Sequence, residues 1–124
     1  MPPTTPDRWP FYCEENVWWL CQEEPFLLLP RWAVVVSNAA QQVAIWEQQV
    51  APAGEPVVWD YHVIMVVKED ELVVWDLDTR LACPTPLVDY LARSFLPLAP
   101  EHAALAPVFR VVEAMTFVAE FATD

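Results

Sequence analysis

A chain of 124 residues is long enough for one domain of ordinary size and too short for two. Hydrophobic residues make up 56% of it and aromatics 13%, which excludes a chain disordered throughout. Eighteen Asp and Glu against six Lys and Arg leave a net charge of −12, a field that repels phosphate backbones and anionic lipid headgroups and argues against nucleic acid or a membrane surface as partner.

Thirteen prolines divide the chain into elements. After a Pro-rich leader over residues 1–10, the pattern predicts a helix over 12–22. Cys13, Val17, Leu20 and Cys21 recur there at helical spacing, and Glu14 and Glu15 fall in the first turn, where carboxylates suit the helix dipole. Cys13 then stands at the helix N-terminus. The β-branched runs 32–37 and 43–46, separated by the polar stretch 38–42, read as two strands paired with each other. Residues 57–67 read as one continuous strand and 72–76 as its antiparallel partner, joined by the charged stretch 68–71. A helix over 87–95, a short strand over 109–112 and a closing helix over 114–121 follow. One helix, a run of strands and then mixed elements make an α+β fold, its N-terminal helix carrying the cysteine packed on a mainly antiparallel sheet with flanking helices.

The apolar stretches are interrupted by Pro30 and Arg31 and by Asp60 and His62, well short of the ~18 residues a membrane span needs. The opening residues are neither basic nor apolar, so no secretory signal is expected. Cys13, Cys21 and Cys83 are odd in number and lack the close pairing of a zinc site, so the expectation is a cytoplasmic protein with free thiols, no metal and no other cofactor.

Within 57–67 the polar residues Asp60 and His62 are two apart, on one face of a continuous strand, and Asp76 and Asp78 share a face at the end of the next. Each has an ordinary reading: a satisfied buried histidine, solvated carboxylates at a strand end, and, for Cys13, a core residue on an apolar helical stripe. Together they supply the three groups of cysteine nucleophile chemistry, a thiolate, an imidazole to carry its proton and a carboxylate to orient the imidazole. Unpaired N–H groups at a helix N-terminus favour a thiolate and can receive an oxyanion. Glu14 and Glu15 oppose the first effect, which leaves the His62 imidazolium as the main support. Hairpin register chooses the carboxylate: a three-residue loop over 68–70 pairs Val67 with Glu71 and sets Asp76 opposite His62, whereas a five-residue loop pairs Val67 with Val73 and sets Asp78 there. The preference for short loops favours the first.

The strings Tyr12-Cys13-Glu14-Glu15-Asn16-Val17, Val35-Val36-Ser37-Asn38, Ile45-Trp46-Glu47-Gln48-Gln49, Val58-Trp59-Asp60-Tyr61-His62-Val63 and Asp76-Leu77-Asp78-Thr79 occur in an order that resembles the protein N-terminal glutamine amidohydrolase family. The resemblance extends over nearly the whole chain. It implies a papain-like or transglutaminase-like fold and a Cys-His-Asp triad of Cys13, His62 and Asp76 that converts the N-terminal glutamine of a polypeptide to glutamate, with release of ammonia through a γ-glutamyl thioester. Members usually continue further, so it also implies a single domain over 1–124 that lacks the usual C-terminal segment. The expected partner is a polypeptide with N-terminal glutamine, met by a monomer. Selection of a terminal residue needs a group that holds the α-ammonium, for which Glu14, Glu15 and Asp60 are candidates. Asn16 either serves the carboxamide or hydrogen-bonds within the helix, and the structural role is preferred. The rival readings are a cysteine peptidase or transglutaminase-like acyltransferase, and an inactive acidic interaction module.

Overall fold

Val dominates the segments that form strands, and the helix over 87–94 begins directly after Pro86. In the computed structural model, which describes residues 13–123, the order is α1 (Cys13–Leu20), β1 (Arg31–Ser37), β2 (Val43–Ile45), β3 (Val57–Trp59), β4 (His62–Lys68), β5 (Leu72–Trp75), β6 (Thr85–Pro86), α2 (Leu87–Ser94), β7 (Val108–Glu113) and α3 (Ala114–Thr123). Short 3-10 turns occupy Glu24–Phe26 and Pro100–Leu105. The leader and the predicted first helical residue, Tyr12, lie outside the described residues. Five strands form an antiparallel sheet in the order β6-β5-β4-β1-β7, and β2 and β3 form a separate antiparallel pair, so the α+β, mainly antiparallel expectation holds. No helix among the described residues is long and apolar enough to cross a membrane.

The centre of the sheet explains why its sequence does not alternate. Val63, Met65 and Val67 of β4 enter one core with Val17, Leu20 and Cys21 of the α1 segment and Ala114 and Phe117 of α3. Ile64 and Val66 enter a second core with Val34, Val36, Val43, Ile45 and Tyr90. A strand covered on both faces reads as an unbroken apolar run, and each buried Val, Ile, Leu, Met or Phe contributes about 1.5–3 kcal/mol.

Three details differ from the sequence reading. The strands over 32–37 and 43–46 do not pair: β1 lies between β4 and β7, with Val36 opposite His62 on one side and Phe109 on the other, while β2 pairs with β3. Asn38 diverts the chain, because its Nδ2 donates to the carbonyls of Gln42 (2.6 Å), Ala104 (3.0 Å) and Ala106 (3.0 Å) and ties the turn to the distant 3-10 segment. The strand over 57–67 is broken at Asp60 and Tyr61. The Tyr61 N–H donates to Asp60 Oδ1 (2.8 Å) and Ser37 Oγ donates to the Asp60 carbonyl (2.8 Å), local bonds that replace the ladder. Finally, β4 and β5 are adjacent and antiparallel as expected, but the three-residue loop covers 69–71, so Lys68 faces Leu72 and Val67 faces Val73. Lys68 stays in the sheet because its N–H donates to the Pro30 carbonyl (2.9 Å), and its Nζ closes the loop onto the carbonyls of Glu69 (3.3 Å) and Asp70 (3.1 Å).

Arg31, at the start of β1 and buried, binds the end of the first helical segment to the sheet. Its Nε donates to the Cys21 carbonyl at 2.8 Å, its Nη1 to the carbonyls of Leu29 (3.1 Å) and Leu27 (3.4 Å), and its Nη2 meets Met115 Sδ at 3.4 Å. Arg31→Met keeps most of the packing and strips these carbonyls of their donor. Urea unfolding should show a loss of about 2–4 kcal/mol.

Candidate active site

His62 is the first residue of β4 and is completely buried. Trp59, at the end of β3, stacks on its ring with centroids 5.4 Å apart and planes 14° off parallel. The bend between β3 and β4 thus sets an aromatic wall against the imidazole. Asp76 Oδ1 lies 3.0 Å from His62 Nε2.

Asp76 reaches the ring by an unexpected route. In the observed register an extended β5 would set Asp78 opposite His62, but the ladder ends at the pair Met65 and Trp75. Asp76 and Asp78 therefore do not share a strand face as expected. The chain turns instead, with the Asp78 N–H donating to Asp76 Oδ1 (2.9 Å) and the Thr79 N–H to the Asp76 carbonyl (3.2 Å), and the turn folds the Asp76 carboxylate back to the histidine. The segment 47–49 holds this turn from outside: the Gln49 N–H donates to the Asp78 carbonyl (2.8 Å), the Arg80 N–H to the Glu47 carbonyl (2.8 Å) and Thr79 Oγ1 to the same carbonyl (3.2 Å).

Two more donors complete the carboxylate. Gln48 Nε2 donates to Asp76 Oδ2 at 3.1 Å and the Tyr90 hydroxyl donates to the same oxygen at 2.7 Å. Four donors meet the roughly four lone-pair positions of an ionised carboxylate. Burial by itself pushes the Asp76 pKa up, but the charge and hydrogen bond of His62, with the bonds from Tyr90 and Asp78, outweigh it and bring the group from 3.8 to about 2. For His62 burial opposes the charged ring, and Asp76, by charge and by hydrogen bond, overcomes it, so the histidine is raised well above 6.5. Burial, then the Asp76 charge, raises the Tyr90 phenol well above its usual value.

Cys13 is half-buried at the start of α1, and its proximity to the same ring adds to the effects that favour protonated His62. His62 Nδ1 is buried without a partner at strict hydrogen-bond geometry among the described residues. Cys21 is a core residue whose thiol burial pushes up to about 12. Cys83 is exposed as a residue, though burial of its sulfur beside the Asp76 backbone raises it to about 11. The donor atoms of His62, Asp76 and Asp78 lie within 4.8 Å of one another, a spacing a metal ion could use. The four donors on Asp76 occupy the lone pairs such an ion would need.

Beside Cys13 opens a cleft of about 340 Å³, lined by Cys13, Glu14, Glu15, Trp59, Asp60, Tyr61 and Phe121. The three carboxylates expected to hold the α-ammonium, Glu14, Glu15 and Asp60, line it. Asp60 does so from the exposed bend, not from the strand face expected for it. The Tyr61 hydroxyl donates to Glu14 Oε1, and its phenol is raised by burial and by that bond and charge. Asn16 is buried and does not line the cleft. Sequence reasoning missed the parts played by Gln48, Trp59 and Tyr90. Tyr90 sits on an apolar helical stripe that reads as core, and nothing in Glu47-Gln48-Gln49 tells which glutamine turns inward.

A thiol at the edge of a cleft, an imidazole behind it and a saturated carboxylate on that imidazole are the group types that cysteine nucleophile chemistry requires. Comparison narrows the class. Residues 8–124 match the family described as N-terminal glutamine amidase, and the chain belongs to that family. It is 36% identical over 119 residues to the protein N-terminal glutamine amidohydrolase of Bos taurus, covering 91% of this chain and 58% of the relative. For the proteins of the same name the figures are 36% over 126 residues in Arabidopsis thaliana, with 93% and 57% covered, and 40% over 123 residues in Drosophila melanogaster, with 91% and 58%. The chain thus spans less than two thirds of the length of the relatives it matches.

The pair His62 and Asp76 sets a pH window for stability. Asp76 is lowered on folding, so its contribution is present above about pH 4 and is lost as pH falls toward 2. His62 is raised, so its contribution is complete below 6.5 and is lost as pH rises through its folded value. The urea midpoint should be highest between about pH 4 and 6.5 and decline on both sides, and in Asp76→Asn the alkaline decline should flatten.

Proposed function

We propose that the chain is a single papain-like or transglutaminase-like domain that hydrolyses the side-chain amide of a polypeptide's N-terminal glutamine. Cys13 is the nucleophile, His62 the proton carrier and Asp76 the orienting group. The Cys13 thiolate attacks the carboxamide carbon, and N–H groups of the first turn of α1 receive the oxyanion. The carbon–nitrogen bond breaks as protonated His62 gives its proton to the departing ammonia, leaving a γ-glutamyl thioester. Water then attacks with His62 as base, the carbon–sulfur bond breaks, and an N-terminal glutamate leaves. Glu14, Glu15 and Asp60 hold the α-ammonium, a task that distinguishes a terminal glutamine from an internal one. Free thiols and a polypeptide substrate suit a monomer working in the cytoplasm.

The observation that carries this reading is the meeting of Cys13 with a His62 ring already anchored to Asp76 at 3.0 Å, at a cleft walled by three carboxylates. The names of the relatives support the substrate.

Ammonia release should be seen from a peptide that begins with glutamine and not from its acetylated form, because a pocket built for a charged group rejects a neutral one. Cys13→Ala should lower the rate at least ~1,000-fold with the circular dichroism spectrum unchanged, and Cys21→Ala should stay within a few-fold of the parent. Equal rates on free and acetylated peptides would turn the reading toward a general glutaminase or transglutaminase. Activity surviving in folded Cys13→Ala would remove the nucleophile assignment.

A further inference from the structure

Gln48 is fully buried and bonds two residues that each hold the histidine ring, one at its edge and one on its face. Its Nε2 donates to Asp76 Oδ2 at 3.1 Å, on the far side of the carboxylate from His62. Its Oε1 accepts the Trp59 Nε1–H at 3.3 Å, and Trp59 is the ring that stacks on His62. One side chain thus fixes both the carboxylate that sets the in-plane direction of the imidazole and the indole that sets its plane. The backbone of Gln48 is itself fixed: it pairs with Thr79, its neighbours Glu47 and Gln49 bond the turn that carries Asp76, and its carbonyl accepts from Arg80 Nε at 3.2 Å. Glu47 holds a positive φ of 60°, which turns the chain out of β2 just before Gln48.

We propose that Gln48 is a positioning residue of the reaction, which clamps the His62 imidazole by fixing Asp76 and Trp59 together. The inference rests on the reading of Cys13, His62 and Asp76 as the reactive group, and it extends that reading to a residue that touches none of the reacting atoms. Tyr90 shares the load on Asp76 Oδ2, whereas Gln48 bonds both Asp76 and Trp59 and so couples the two constraints.

The test uses two readouts. One is kcat and KM for ammonia release from a peptide that begins with glutamine. The other is the pH dependence of Cys13 alkylation by iodoacetamide, which needs the thiol and imidazole but no substrate. Gln48→Met keeps the volume and removes both bonds. It should lower kcat about 10- to 100-fold, leave KM within about two-fold, and slow alkylation near neutral pH. Gln48→Glu places a second carboxylate against Asp76, and because two such groups in contact cannot both ionise freely, the alkylation profile should gain an extra ionisation absent from the parent. Trp59→Phe retains a stacking ring and removes only the N–H to Gln48; it should act in the same direction by about two- to five-fold, and it decides the matter if the Gln48 variants fail to fold. Parent-like kcat and alkylation profiles in the folded variants would overturn the proposal, as would a change confined to KM or thermal stability. If no ammonia is released by the parent while alkylation still responds to Gln48, the substrate reading falls and the clamp stands.

Discussion

The ionised carboxylate of Asp76 governs the architecture around it. A charge removed from water is tolerable only if every lone pair finds a donor, and Asp76 finds four, from β4, from its own turn, from the segment after β2 and from α2. Each donor belongs to a different part of the fold, so satisfying one side chain fixes the relative placement of both sheets and a helix. The raised pKa of the buried His62 is a consequence: burial alone would lower it, and the Asp76 charge and hydrogen bond reverse the direction. The carboxylate is polarised from behind by Tyr90 and Gln48 and faces the imidazole in front.

The break at Asp60 and Tyr61 gives the site its walls. A single strand over 57–67 would carry alternate residues to opposite faces and could not stack Trp59 on His62, three positions away. The bend instead sends the residues before it into the small sheet and those after it into the large one. Trp59 closes over the imidazole, and Asp60 and Tyr61 are left at the cleft. The acidity of the chain has a local counterpart here, since Glu14, Glu15 and Asp60 gather at one opening beside the thiol.

Much of this was legible in the sequence. The strings around Cys13, His62 and Asp76 identified the groups that meet, and the positions of α1, α2, α3, β1 and β7 follow from periodicity and proline placement. Pairing was harder to read. Strands 32–37 and 43–46 are neighbours in sequence, and nothing local reveals that Asn38 bonds to carbonyls more than sixty residues away. The hairpin argument reached Asp76 through a register the molecule does not use. The carboxylate arrives because β5 stops at Trp75 and turns, an event encoded by Asp76 and Asp78 as turn formers, not as strand residues. Gln48 was hidden for a related reason, since a buried amide is recognised by its partners and these come from sites 28 and 11 residues away.

Those separations bear on the order in which the chain assembles this cluster. Asp76 lies 14 residues from His62, 28 from Gln48 and 14 from Tyr90, so no local fragment holds the set. Synthesis from the N-terminus delivers the thiol first, the imidazole and carboxylate much later and Tyr90 last of the five. The entropy of closing these loops must be lost before the contacts return it, so the assembly forms with the tertiary fold and not ahead of it. A partly made or partly unfolded chain therefore carries the thiol apart from the imidazole and carboxylate, and the three are brought together by the completed fold.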